Sequence, residues 1–152
     1  MVSAGNGQRV LNDAVTAGVR LPAGIGFNVL GMSDFVISVG ASTTHGTPEN
    51  LADDTVASFS SQGNDRFHPT VATQGVNVPI PYDTNPEWGI AVDGTSFAAP
   101  MVSGTVALIL QHNPDLSFAQ IKAMLEGATV DTSAPSVAEG AGMLDVVDAV
   151  LS

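Results

Sequence analysis

The chain has no cysteine, only four lysines and arginines, one tryptophan, one tyrosine, and no apolar stretch long enough to cross a bilayer. Each absence removes a class of chemistry. Without thiols there are no disulfides, no thiolate metal sites and no cysteine nucleophile, and the redox compartment is left open. The cations Arg9, Arg20, Arg66 and Lys122 stand against fifteen acidic residues, for a formal charge of −11. Nucleic-acid binding needs a basic surface that displaces counterions, so it is excluded, and an anionic membrane surface would repel the chain. The hydrophobic runs are short and broken by Gly and Ser, which excludes a membrane-spanning helix. No basic segment followed by an apolar one opens the chain, so no signal peptide is read there.

What is present suits a packed α/β unit. The 152 residues are enough for one modest domain with a core, read as a single unit over 1–152. Sixteen glycines, many alanines and few aromatics favour layers in which backbones approach closely. Val2 reads as the end of a buried strand that runs into a Gly-rich turn, and loosely helical spacing follows from Gln8 to Arg20 until Leu21-Pro22-Ala23-Gly24 breaks it. Phe35-Val36-Ile37-Ser38-Val39-Gly40 is the clearest strand, apolar enough to be covered on both faces of a parallel sheet. Residues 42–74 read as polar and turn-rich around a short Val56–Phe59 segment. Val76–Pro81 reads as an edge strand and Pro81–Asn85 as loop.

Three helices are expected after that. The first runs from Thr95 or Ser96 to about His112 and is apolar nearly all round, so it is expected to be buried, with Pro100 in its first turn. The second opens on the capping-box pattern Ser117-Phe118-Ala119-Gln120, buries Phe118, Ile121, Met124 and Leu125, and has Gly127 as C-cap. The third covers about Met143–Leu151, with Leu144, Val147, Val150 and Leu151 on one face.

Gly94-Thr95-Ser96-Phe97-Ala98-Ala99-Pro100 carries the chemistry. A serine hydroxyl attacks a carbonyl only when a base takes its proton and donors stabilise the oxyanion. A serine at a helix amino terminus lies beside unpaired backbone N–H groups and the positive end of the helix dipole. A Thr-Ser pair opening a helix also serves as a plain N-cap, so this pattern alone leaves both readings open.

The segment resembles the serine signature of the subtilases, the subtilisin-like serine proteases. The likeness extends through Met101–Gly104, Ala107–Leu110, Gln120–Leu125 and the closing Gly140-Ala141-Gly142-Met143-Leu144-Asp145. Upstream, Ser3-Ala4-Gly5-Asn6-Gly7 is similar to the family's oxyanion segment, and Pro22-Ala23, Val36–Ala41 and Ala57–Gly63 follow in the family's order. The resemblance implies the C-terminal portion of a three-layer α/β subtilisin-like fold with a mostly parallel sheet. It implies Ser96 as nucleophile, with the Asn6 side chain and the Ser96 backbone N–H as oxyanion donors. Ser3, Ala4 and Gly5 would wall the primary specificity pocket, with Gly94 and Thr95 also lining the substrate.

The family's aspartate and histidine motifs lie upstream of the oxyanion segment, where this chain has only Met1–Gly5. The expectation is therefore a serine endopeptidase incomplete in this chain and inactive by itself. The rival is a remnant or interaction module in which Ser96 is only a cap. His45-Gly46-Thr47 looks like the start of the histidine motif but lacks its continuation, and His68 and His112 read as surface residues. Asp53 and Asp54 are expected to face solvent. No cofactor is expected: many subtilases bind structural calcium, but none of those ligands maps onto matching positions here. The expected partners are a polypeptide substrate and either the absent half of the domain or a second copy. Family habit places the activity outside the cytoplasm.

Overall fold

Small and β-branched residues dominate the strand at the centre of the sheet, Ser38-Val39-Gly40-Ala41-Ser42-Thr43, and all but Thr43 are buried. The computed structural model of the chain describes residues 1–8, 26–47, 49–82 and 85–152. Among them β1 (Val2–Ser3), β2 (Ser38–Thr43), β3 (Thr55–Val56), β4 (Val71–Gln74), β7 (Thr129–Val130) and β8 (Met143–Leu144) form one sheet, and β5 (Val78–Tyr82) pairs with β6 (Asn85–Val92) in a separate antiparallel ribbon. The large sheet runs β1-β2-β4-β8-β7, with β3 attached to β2. Val2 lies beside Ser38, Val39 beside Val71 and Ala72 beside Met143, all in parallel register. Only β3 and β7 pair antiparallel within it.

Four helices follow: α1 (Thr95–His112), α2 (Phe118–Gly127), α3 (Ser136–Glu139) and α4 (Val146–Leu151). Successive residues of a strand face opposite ways. Val39 and Ala41 therefore join Val71, Ala98, Val102, Ile109 and Leu125 in the core between sheet and helices. The opposite face presents Ser38, Gly40 and Ser42. A Cβ on Gly40 would touch the Ala138 carbonyl and Ser60 Oγ, so α3 and the 57–60 turn lie close on that side. This gives a three-layer α/β arrangement, with the sheet covered on both faces.

Several local expectations shift. The strand begins at Ser38 rather than Phe35, whose ring is 86% exposed. β4 falls within the stretch 42–74 read as polar and turn-rich, and β6 begins at Asn85, the last residue read as loop. β4 is four residues with Thr and Gln among them, too short to show a period, yet Val71 and Ala72 are wholly buried. Helix α1 is not buried all round: Thr95, Ala98, Val102, Thr105 and Ile109 face the protein, while Met101 and Leu108 are exposed, because the helix lies on one side of the sheet. Pro100 falls in its second turn, so the Ser96 carbonyl has no i+4 amide to bind it. The Ser117 capping box closes α2 as read, with Ser117 N donating to Gln120 Oε1 at 2.9 Å; Phe118 is exposed, and Ala128 rather than Gly127 is the C-cap. The expected last helix divides into β8 and α4, because Asp145 Oδ1 accepts from the Val147 and Asp148 amides and starts the helix there. Of its expected face, Leu144 belongs to the strand and Val147 and Leu151 are exposed. The readings for Arg9–Arg20 and Leu21–Gly24 lie outside the described residues.

Candidate active site

The turn after β1 and the amino end of α1 meet at the carboxyl edge of the parallel strands, where open α/β sheets place their ligand sites. Gly94 N donates to the Gly75 carbonyl at 2.7 Å, which ties the start of α1 to the end of β4. Gly94 takes φ 157°, and Gly5 takes φ 107° in the facing turn, conformations that L side chains rarely adopt.

Thr95 is the joint between the two segments. Its hydroxyl donates to Asn6 Oδ1 at 2.8 Å and accepts from Gly5 N at 3.2 Å, and its own N–H donates to the same Asn6 oxygen at 3.0 Å. Two donors converging on one end of the Asn6 amide require that end to be oxygen, which fixes Nδ2 at the other. Thr95 is 1% exposed. It therefore stands behind the site and positions Asn6, rather than lining the substrate as the family pattern implied.

The paired atoms leave a specific set unpaired. Among the described residues, Ser96 Oγ, the Ser96 N–H and Asn6 Nδ2 have no hydrogen-bond partner, and both residues are exposed. The Phe97 amide closes back on the Gly94 carbonyl at 3.0 Å, so the free donor of the first turn is that of Ser96. A carbon built on Gly94 as a side chain would lie 3.1 Å from Ser96 Oγ and 3.3 Å from Asn6 Nδ2. Both groups thus flank Gly94 closely, and a side chain at this position would crowd them.

The Ser3–Gly5 wall is held from within. Ala4 N donates to the Val39 carbonyl; the Ser3 and Ala4 carbonyls accept from the Asn28 side chain and backbone, and the Gly5 carbonyl accepts from Ser61 N. Ala4 is fully buried, and Ser3 and Gly5 are half-buried. Asn28 and the fully buried Ser61, whose hydroxyl also accepts from Gly7 N at 3.0 Å, are supports that the sequence reading did not single out. The Ser60-Ser61-Gln62-Gly63 turn was the available signal for the second.

No histidine joins Ser96. His45 occupies a turn after β2, with Nε2 2.8 Å from Thr55 Oγ1. His68 is half-buried, with Nδ1 donating to the Pro69 carbonyl at 2.8 Å, and His112 ends α1 in solvent. Asp53 is exposed as expected and accepts from Thr47 Oγ1. Asp54 is not: it is 3% exposed, and Oδ1 has no hydrogen-bond partner. Burial raises its pKa above the usual carboxylate value, and the Asp53 charge adds to this; the His45 ring and the nearby Ser42 hydroxyl, which forms no hydrogen bond with it, pull the other way. Among the described residues no group of three or more His, Asp and Glu side chains is placed to hold a metal ion.

A parallel sheet whose carboxyl edge presents a helix-terminal serine beside an oriented asparagine amide defines an α/β fold of the subtilisin-like class. A family model described as the Subtilase family matches residues 1–143, and the chain belongs to that family. It is 38% identical over 114 residues to the serine protease AprX of Bacillus subtilis, a match covering 65% of this chain and 26% of that protein. It is 35% identical over 109 residues to the minor extracellular protease Vpr of the same species, covering 62% of this chain and 14% of Vpr. Among solved structures, fervidolysin from Fervidobacterium pennivorans, a keratinolytic enzyme related to subtilisin, superposes with a TM-score of 0.71 at 25% identity, over all of this chain and 22% of that one. The chain thus spans between 14% and 26% of the length of these relatives.

Proposed function

We propose that this chain carries the nucleophile and oxyanion-binding half of a subtilisin-like serine endopeptidase acting on polypeptides. The observation that carries the reading is the pairing of Asn6 Oδ1 by the Thr95 N–H and hydroxyl, which leaves Asn6 Nδ2 and Ser96 Oγ exposed and unpaired on either side of Gly94. A scissile carbonyl bound between those two groups has an attacking oxygen at its carbon and a fixed donor at its oxygen. Attack by Ser96 Oγ moves the carbonyl π electrons onto oxygen, where Asn6 Nδ2 and the Ser96 N–H stabilise the charge. Collapse expels the amine and leaves an ester on Ser96, which water then hydrolyses. The reaction uses side chains and backbone amides alone.

The Ser96 proton needs a base, and the 152 residues contain neither the aspartate nor the histidine motif of the family. The chain by itself therefore lacks ordinary protease activity, and a polypeptide bearing those motifs completes the site. β1 pairs with β2 alone among the described residues, so its other edge is where a completing strand would add. The family relation to an extracellular protease supports action outside the cytoplasm.

The test is hydrolysis of a peptide ester by the chain with and without a subtilase segment that carries the family's aspartate and histidine motifs. Activity only in the mixture, abolished by Ser96→Ala, is the expected result. Efficient hydrolysis by the chain alone would overturn the incomplete-site reading. Activity retained by Ser96→Ala would overturn the assignment of the nucleophile.

A further inference from the structure

A second feature lies at the same carboxyl edge of the sheet. A cavity of about 370 Å³ opens between the ends of β2 and β4, the flank of α1 and the start of α4. Leu51, Met101 and Val146 give it apolar walls, while Glu49, Asp54 and Asp145 supply carboxylates. Among the described residues no lysine or arginine lines it. Asp54 is the most telling of the three, because a carboxylate 3% exposed with an unpartnered oxygen is a costlier arrangement than the unpartnered hydroxyls of Ser38 and Ser42. Asp145 uses Oδ1 to cap α4, which leaves Oδ2 without a hydrogen bond. Glu49 is exposed at the rim.

A cation would relieve this arrangement, and the walls select its kind. No three acidic or histidine side chains among the described residues are placed to hold a metal ion. An apolar passage leading to carboxylates matches instead the aliphatic stem and charged tip of a basic side chain. We propose that the cavity binds a lysine or arginine side chain of a second polypeptide, its stem along Leu51, Met101 and Val146 and its cationic group against Asp54 and Glu49. The formal charge of −11 favours approach of such a partner. Binding requires no chemistry at Ser96, so it is measured in the Ser96→Ala chain and stands or falls apart from the proteolytic reading.

The probes are the Nα-acetyl amides of arginine, lysine and norleucine, and calcium chloride, titrated calorimetrically at matched ionic strength and neutral pH. The arginine and lysine amides should bind saturably and the norleucine amide should not. Asp54→Asn keeps the side-chain volume and removes the buried charge, so the variant should fold, and it should weaken both basic ligands by about tenfold or more. Binding should also weaken as pH falls through the raised Asp54 pKa, because a protonated carboxyl no longer pairs with a cation. Glu49 and Asp145 in the cavity, and Asp53 and His45 beside Asp54, are the other charged or titratable groups that shape that profile. Equal binding of the norleucine amide, unchanged affinity in Asp54→Asn, or saturable binding of calcium with none of the basic amides would each overturn the proposal.

Discussion

The Asn6–Ser96 junction and the Asp54 cavity lie at the same edge of one sheet and treat polar groups in opposite ways. At the junction, Thr95 Oγ1 and N pair with Asn6 Oδ1, Gly5 N with Thr95 Oγ1, and Gly94 N with the Gly75 carbonyl. Ser96 Oγ and Asn6 Nδ2 are left over beside Gly94 and are exposed, so their lack of partners is compatible with a reacting group that arrives later. At Asp54 the unpaired oxygen is itself buried, and the desolvation shows as a raised pKa. Pre-organisation and frustration differ here in one respect, whether the unsatisfied atom is exposed to water in the free chain.

Substitutions sharpen that contrast, and the first three are read in the complemented protein. Asn6→Ala should have the largest effect after Ser96→Ala itself, lowering kcat by about 10²–10³-fold, the magnitude known for losing this donor in subtilisin. Gly94→Ala should come close to it, since the new methyl would crowd Ser96 Oγ and Asn6 Nδ2 and strain a backbone at φ 157°; a variant of unchanged kcat would show that close approach at Gly94 is not needed. Thr95→Val keeps shape and burial but frees Asn6 to turn. It should reduce kcat by on the order of 10²-fold with little change in KM, and destabilise the fold by about 1–2 kcal/mol through lost hydrogen bonds. Equal losses in KM and kcat would instead make Thr95 a substrate contact.

The smallest effect belongs to the other region. The folded pKa of Asp54 is raised from 3.8, so the folded state holds its proton more tightly than the unfolded one. Stability contributed by that proton is present below the unfolded pKa and is lost as pH rises through the folded pKa. Asp54→Asn should therefore stabilise the chain by about 1 kcal/mol at neutral pH, with the gain fading as pH falls through the raised folded pKa and gone below 3.8. Urea unfolding of both proteins across that range measures it, and a gain that persists in acid would contradict burial of the charge as its cause.

Local signals in the sequence were reliable where one segment decides the outcome. The Ser117 capping box and the start of α1 at Thr95 both rest on side chains a few residues apart. Ser96 and Asn6 were legible because the family signature surrounds them. What tertiary packing decides was not legible. Thr95 reads as a cap or substrate residue until Asn6, 89 positions away, is brought against it. Asp54 reads as solvated beside Asp53 until the sheet edge closes over it. Phe35 extends an apolar run in sequence but protrudes into solvent before the strand begins.

Labelling with a fluorophosphonate probe tests the central claim most directly, with the adduct located by mass spectrometry in the chain alone and in the chain supplied with the aspartate and histidine motifs. The account predicts a single adduct on Ser96, formed rapidly only in the completed protein and absent from Ser96→Ala. An adduct on another residue, or no labelling of Ser96 once the base is supplied, would contradict it.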